Sequence, residues 1–194
     1  MPHEMAPPDL EAAFRATGEL LAADGCSVAV VVVGGAALAL RGIVGRGTFD
    51  VDVIARAEDR GDGVVLVEAE PVPAALEAAI STVARDLELP GDWMNTVVGR
   101  QWPHGLPPGM LEELAWRTYA GLSVGLAGRR ALIALKMFAA VDRGPGSVHV
   151  QDLAALAPDD VELGEAAAWV REQNAAPEFP AMLEEVLTHV RGNR

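Results

Sequence analysis

The chain of 194 residues has few cysteines, few basic residues and no long apolar segment, and each shortage excludes a class of protein. The single cysteine, Cys26, excludes an internal disulfide framework and a structural zinc site built from cysteines. The 15 basic residues are set against 28 acidic ones, which gives a net charge of −13. Because non-specific binding to long nucleic acid needs a basic surface, we expect no binding of bulk DNA, although a local basic pocket could hold one nucleotide.

Segments that could enter a membrane are missing as well. The longest apolar run, over residues 28–40, is interrupted by two glycines and is shorter than the ~20 residues that a bilayer-spanning helix needs. The N-terminal residues include acids where an export signal would carry lysine or arginine. We therefore expect a cytoplasmic protein without a membrane partner.

The composition is that of a folded protein, with 51% hydrophobic and 22% charged residues. At roughly 150 residues per domain, this length predicts one compact domain. A run of branched residues, Val28–Val33, predicts a strand buried on both faces, and the alternating pattern over 49–55 predicts a second strand. Further strands are predicted over 64–67 and Leu122–Leu126.

Helical spacing is found on both sides of these strands. It predicts helices at 9–23, 36–42 and 73–87, and then at 130–141, 148–156, 164–173 and 178–191. The expected fold class is therefore α+β (α/β), with a mixed β-sheet core flanked by helices over residues 1–128. A helical C-terminal part over residues 129–194 is expected to pack on that core.

The second predicted strand carries two acids, Asp50 and Asp52. Residues two apart on a strand point to the same face, with Cα atoms about 6.6 Å apart, so both carboxylates can converge on a divalent cation. Carboxylate oxygens are ligands that Mg²⁺ prefers, with phosphate oxygens and water completing the coordination. The alternative is a solvent-facing edge strand with no ligand.

Other residues near these acids favour the functional interpretation. Gly34 and Gly35 directly follow the buried strand and precede a helix, so that the backbone could approach a triphosphate closely. Upstream of the acids, Arg46 and Thr48 add a guanidinium and a hydroxyl that suit phosphate. Each feature alone would be an ordinary turn or surface residue, but their conjunction predicts a nucleotide site.

The stretch VVVVGGAALALRGIVGRGTFDVDVIA, which carries these features, resembles the signature of the nucleotidyltransferase superfamily. The branch it resembles most is that of small bacterial proteins related to the AbiEii/AbiGii-type toxins of abortive-infection systems. Three later elements are similar to that branch as well. They are Asp92-Trp93-Met94-Asn95, the segment LIALKMFA at 132–139, and Gln151-Asp152-Leu153 followed by Leu156.

The resemblance implies Mg²⁺-dependent transfer of a nucleoside monophosphate from an NTP to a hydroxyl of an RNA end, a protein or a small molecule. It also implies an antitoxin as a partner. Gly34 and Gly35 would contact the nucleotide phosphates, with Asp50 and Asp52 as the metal ligands. By the same resemblance, Lys136 would approach the phosphate or base region as a further catalytic residue. Asp152 would lie beside that lysine.

Lys136, the one lysine of the chain, also stands out by its surroundings. It lies in an otherwise apolar helix, where a buried ammonium is costly unless it is paired. Asp152 is its candidate partner. The alternative is a lysine whose stem packs on the core while its charged end reaches water.

The sequence departs from the family pattern at the third carboxylate that active members usually carry on a later strand. The equivalent strand here, Leu122–Leu126, has Ser123 and Gly125 instead of an acid, with Glu68 and Glu70 as speculative substitutes. His149 also stands where relatives tend to have an acid. An alternative function is therefore a catalytically degenerate module of the same fold that binds a nucleotide or a protein.

Overall fold

The computed structural model describes residues 4–174 and 176–192. In this part of the chain the fold is mixed α+β, with a six-stranded mixed sheet flanked by helices and a helical C-terminal part. The strands are β1 Val28–Val33, β2 Val51–Asp59, β3 Val64–Glu68, β4 Met94–Asn95, β5 Ala115–Tyr119 and β6 Leu122–Leu126. The helices are α1 Pro7–Ala23, α2 Gly34–Leu40, α3 Ala74–Asp86, α4 Arg129–Arg143, α5 Val148–Leu156, α6 Asp160–Glu172 and α7 Phe179–Gly192, with a 3-10 helix at Val97–His104. No helix within the described ranges is both long and apolar enough to cross a bilayer.

The chain forms two compact units. The first consists of Met1–Pro103 and Leu114–Ala127 and contains the whole sheet, and the second consists of His104–Glu113 and Gly128–Arg194 and contains α4 to α7. The sequence predicted a core over residues 1–128 and a helical part over 129–194 within one compact domain. The units of the structure meet between Ala127 and Gly128, and the segment 104–113 belongs to the second unit.

The sheet is built around β1. Its strand order is β3-β2-β1-β6-β5, and the short β4 pairs in parallel with the start of β2. β1 runs antiparallel to β2 and parallel to β6, and its residues from Val30 to Val33 are buried. An uninterrupted run of branched apolar residues is typical of such a central strand, since both of its faces are covered.

Alternation along the strands assigns the two faces of the sheet. Arg117 of β5 donates hydrogen bonds to Glu11 of α1 and to the Leu40 carbonyl of α2, so its face is the one that carries these helices. The register continues this face through Val124 of β6 to Val30 of β1. Residues that alternate with these lie on the opposite face of the sheet.

The second strand differs from its predicted extent of 49–55. It begins at Val51 and continues to Asp59, through charged residues that lie beyond the end of the predicted strand. The reason is the antiparallel pairing with β3, which runs from Ala55 opposite Glu68 to Asp59 opposite Val64. This half-exposed hairpin tolerates charged side chains on the strand. β5 had no counterpart among the predicted strands, although its antiparallel partner β6 did.

Tyr119, the single tyrosine of the chain, fixes α1 against the end of β5. Its hydroxyl donates to Glu11 Oε2 over 2.7 Å, and its ring centroid lies 5.6 Å from that of Phe14. Burial first, and then the hydrogen bond to the Glu11 carboxylate, raise the pKa of Tyr119 from about 10 to about 12. Both causes act by disfavouring the phenolate.

This shift predicts a loss of stability at alkaline pH. Between pH ~10 and ~12 the unfolded chain has released the phenolic proton while the folded protein retains it, so the stabilisation is complete below the unfolded pKa and disappears as the pH rises through the folded one. The loss amounts to at most ~2.7 kcal/mol. It can be measured by urea unfolding across this window, and Tyr119→Phe should remove it.

Because the chain has one tyrosine, an ultraviolet titration of tyrosinate reports the same group directly. A midpoint near the ordinary tyrosine pKa in the folded protein would contradict this assignment.

Candidate functional site

Asp52 lies where three strands meet. It is the second residue of β2, opposite Val33 at the end of β1 and opposite Asn95 of β4. Its neighbours Val51 and Val53 are buried, and Asp52 itself is half-buried on the other face of the strand. The alternating pattern that predicted the strand therefore also places this carboxylate at the end of β1, where the chain turns into α2.

Gly34 and Asp52 are in direct contact. Gly34 has a φ of +68°, and a Cβ built on it would lie only 2.5 Å from Asp52 Oδ2. The left-handed conformation favours glycine, and the short distance leaves no room for a side chain. The carboxylate thus lies against the backbone of the glycine turn.

The second glycine adjoins the other two residues predicted to bind phosphate. A Cβ on Gly35 would lie 2.7 Å from Thr48 Oγ1 and 3.8 Å from Arg46 Nη1. Thr48 is 5% exposed and is fixed by backbone hydrogen bonds with Met5 of 2.7 and 3.0 Å. A hydroxyl and a guanidinium therefore flank the turn on the side of Gly35.

Asp50 adjoins this group through its backbone. It directly precedes β2 instead of lying on the strand, and its carbonyl accepts a hydrogen bond of 3.1 Å from Thr48 Oγ1. The side chain is half-buried. Asp50 thus belongs to the loop that holds Thr48, while Asp52 belongs to the sheet.

A third acid does not join these two. The part of the chain that the structure describes contains no group of three or more His, Cys, Asp or Glu residues able to hold a metal ion. On β6, Gly125 is in contact with the indole of Trp116, which would lie 3.0 Å from a Cβ at that position. Glu70 accepts hydrogen bonds from the Thr96 hydroxyl and from the Val72 amide, and Glu68 is exposed.

Asn95 is a neighbour of Asp52 to which the sequence assigned no role. The parallel pairing of β4 with β2 aligns the two residues, and Asn95 Oδ1 accepts a hydrogen bond of 3.1 Å from the Val97 amide at the start of the 3-10 helix. A two-residue strand gives no periodic signal. Only the short element Asp92-Trp93-Met94-Asn95 marked this position.

Lys136 and Asp152 form an ion pair within the second unit. Lys136 Nζ on α4 lies 2.8 Å from Asp152 Oδ2 on α5, and the two side chains are 8% and 1% exposed. Pairing, and not an ammonium extended into water, is therefore how this lysine is accommodated. His149, one helical turn before Asp152 on α5, is half-buried.

No protein-family model, curated protein or solved structure matches this chain. What the chain does must therefore be argued from its own residues. The Asp52 carboxylate against a glycine turn, with a guanidinium and a hydroxyl next to it and Asp50 in the adjoining loop, suits a ligand that carries phosphates and a divalent cation.

Proposed function

We propose that this protein is a Mg²⁺-dependent nucleotidyltransferase-like protein that binds a nucleoside triphosphate at the turn between β1 and α2. The observation that supports the proposal best is the contact between Asp52 and Gly34, because it joins the acid and the glycine turn in one place. The family resemblance of residues 30–55 points in the same direction.

In this proposal each residue around the turn has a separate role in binding the triphosphate and the cation. The side-chain-free backbone at Gly34 and Gly35 lets the triphosphate approach closely, and Arg46 offsets its negative charge. The Thr48 hydroxyl contributes a further hydrogen bond to phosphate. Asp50 and Asp52 hold Mg²⁺, which, when bound, neutralises the charge that develops on the departing pyrophosphate.

The donor set fits this cation. Mg²⁺ usually keeps several waters and is bound through one or two carboxylates together with substrate phosphates, not in an all-protein cage. A site with two aspartates and no third acid among the described residues is of that kind. We expect Mg²⁺ to bind weakly alone and much more tightly with the triphosphate.

The acceptor proposed here is a hydroxyl of a protein, a small molecule or an RNA end. The net charge of −13 favours the first two over long RNA, because an acidic surface repels a polyphosphate chain. An antitoxin partner belongs to the same proposal. A gene for a small partner protein beside the gene for this chain would support it.

A second candidate is a catalytically degenerate module of the same fold that binds a nucleotide or a protein without transferring anything. It is favoured by the lack of a third carboxylate near Asp50 and Asp52 among the described residues. A missing general base costs typically 10²- to 10⁴-fold in rate, whereas nucleotide binding does not depend on it.

The site is tested by replacing its acids. Asp50→Asn and Asp52→Asn keep the shape of the side chains but remove the charges that hold Mg²⁺. We expect each change to weaken Mg²⁺-dependent binding of a triphosphate with a non-hydrolysable α,β bridge at least ~10-fold, or ~1.4 kcal/mol. Isothermal titration calorimetry with and without Mg²⁺ measures this.

The matched control is Asp62→Asn, in the exposed loop between β2 and β3, which should leave binding unchanged. Unaltered binding in both site variants would reject the site. If the wild type binds the analogue but incorporates no α-labelled nucleotide into RNA, protein or itself, the degenerate module is the better description.

A further inference from the structure

A cleft of about 450 Å³ lies in the first unit between α3 and the sheet. Its floor consists of buried apolar side chains, namely Val30, Val53, Ala69, Leu76 and Met94. Val53 and Asp52 are successive residues of β2 and point to opposite faces of the sheet. The cleft is therefore distinct from the candidate nucleotide site.

One end of the cleft is positively charged. Arg56 lines it from β2, with 23% of its side chain exposed, and its ion-pair partner Glu58 is as far as 3.9 Å away. Its guanidinium makes no hydrogen bond to any residue in the described ranges. Since a guanidinium offers five donors, this arginine has capacity left for a carboxylate.

The other end carries negative charge. Glu70 lines the cleft there and is fixed by hydrogen bonds from the Thr96 hydroxyl and the Val72 amide. The exposed Asp92, two residues before β4, also lines the cleft and lies farther from Arg56 in the same direction. Glu77 of α3 adds a third acid to the rim. Acids outnumber the single arginine, so a ligand with negative charge alone is disfavoured.

The register gives the distance between the two ends. Asn95 is aligned with Asp52, so Thr96, which donates a hydrogen bond to Glu70, lies level with Val53. Val53 is three residues before Arg56 on β2, which corresponds to about 10 Å. An extended peptide of three residues is about 10 Å long and suits this span.

We propose that this cleft binds a short apolar peptide with free termini. Its C-terminal carboxylate pairs with Arg56, its N-terminal ammonium lies between Glu70 and Asp92, and its side chains cover the apolar floor. The volume is in the usual range for small-ligand sites, roughly 300–1,000 Å³. This ligand matches the charge at each end and the apolar surface between them.

The test uses the tripeptide Ala-Val-Ala and two capped forms, one N-acetylated and one C-amidated, titrated into the full chain by calorimetry. We expect the free peptide to bind and each capped form to bind at least ~10-fold more weakly. Arg56→Gln should weaken the free peptide to the level of the amidated form. Glu70→Gln combined with Asp92→Asn should weaken it to the level of the acetylated form.

Arg60→Gln is the matched control, because Arg60 is exposed in the loop after β2 and does not line the cleft. It should bind the peptide as the wild type does. The capped peptides test the proposal on the wild-type protein, so a variant that folds poorly does not decide the result. The proposal is overturned if the free peptide fails to bind at millimolar concentration, or if either capped form binds as tightly as the free one.

Discussion

Replacing Gly18 by alanine should destabilise the protein by about 3 kcal/mol or more, although alanine is the better helix former by about 1 kcal/mol. Gly18 is buried in the interior of α1, where a Cβ would lie 1.6 Å from the carbonyl oxygen of Tyr119. The Gly18 carbonyl also accepts a hydrogen bond of 3.0 Å from the Gly121 amide. A side chain at this position meets backbone, which cannot rotate away, so α1 must move off the turn between β5 and β6.

The control for this prediction is a second helical glycine. Gly164 lies in α6, and a Cβ built on it meets no described atom within 4 Å. Gly164→Ala should therefore stabilise the chain by about 0.5–1 kcal/mol through helix propensity alone. Urea unfolding followed by circular dichroism measures both variants. If the two glycines respond alike, the close approach of α1 to Tyr119 is wrong.

Gly18 also shows where the sequence is informative and where it is not. The apolar spacing over 9–23 predicted the helix, which the structure confirms as Pro7–Ala23. A glycine inside a helix is unfavourable by itself, but Gly164 shows that its presence does not by itself indicate a close approach. The sequence does not say what approaches, because Tyr119 is a hundred residues away along the chain and comes near only through the sheet.

The position of Asp52 beside the glycine turn could be predicted because its signals are local. A buried strand, two glycines and an acid on the next strand lie within 25 residues, and antiparallel pairing of β1 with β2 aligns Val33 with Asp52. Asn95 could not be assigned a role in this way. Its position depends on a two-residue parallel strand that returns from outside this segment.

Two further features were not predicted, for a related reason: the full length of β2 and the assignment of residues 104–113 to the second unit. Arg56, Glu58 and Asp59 have the polar composition of a loop, and only the pairing with β3 makes them part of a strand. The segment His104–Glu113 lies between two parts of the first unit in sequence but contacts α4 through Glu113, whose carboxylate accepts from the Arg130 amide over 3.2 Å. Contacts between residues that are far apart in sequence cannot be predicted from the pattern of neighbouring residues.

The buried pair Lys136–Asp152 leads to the second large effect. Lys136→Met alone should lower the free energy of unfolding by about 3–5 kcal/mol, because it removes the ammonium that lies 2.8 Å from a carboxylate that is 1% exposed. Asp152→Leu alone should lower the free energy of unfolding by a similar amount, because the buried ammonium of Lys136 then loses the carboxylate that it faces. The double variant removes both charges and keeps apolar volume, so it should recover most of the loss and can even exceed the wild type.

An exposed ion pair in the same unit provides the control. Arg171 Nη2 lies 2.9 Å from Glu184 Oε1, nearly the distance found for Lys136 and Asp152, but the two side chains are 50% and 59% exposed. Arg171→Met should therefore cost less than about 1 kcal/mol. Urea unfolding of the single and double variants gives the coupling energy of each pair through a double-mutant cycle.

The same variants separate stability from nucleotide binding, because the double variant retains the fold while lacking the ammonium. If it binds the triphosphate analogue as the wild type does, the pair serves to hold α4 against α5 and the role that the family resemblance gives to Lys136 is wrong. If it is stable but binds the analogue at least ~10-fold more weakly, Lys136 also acts on the phosphates. A Lys136→Met variant as stable as the wild type would contradict the burial of the pair itself.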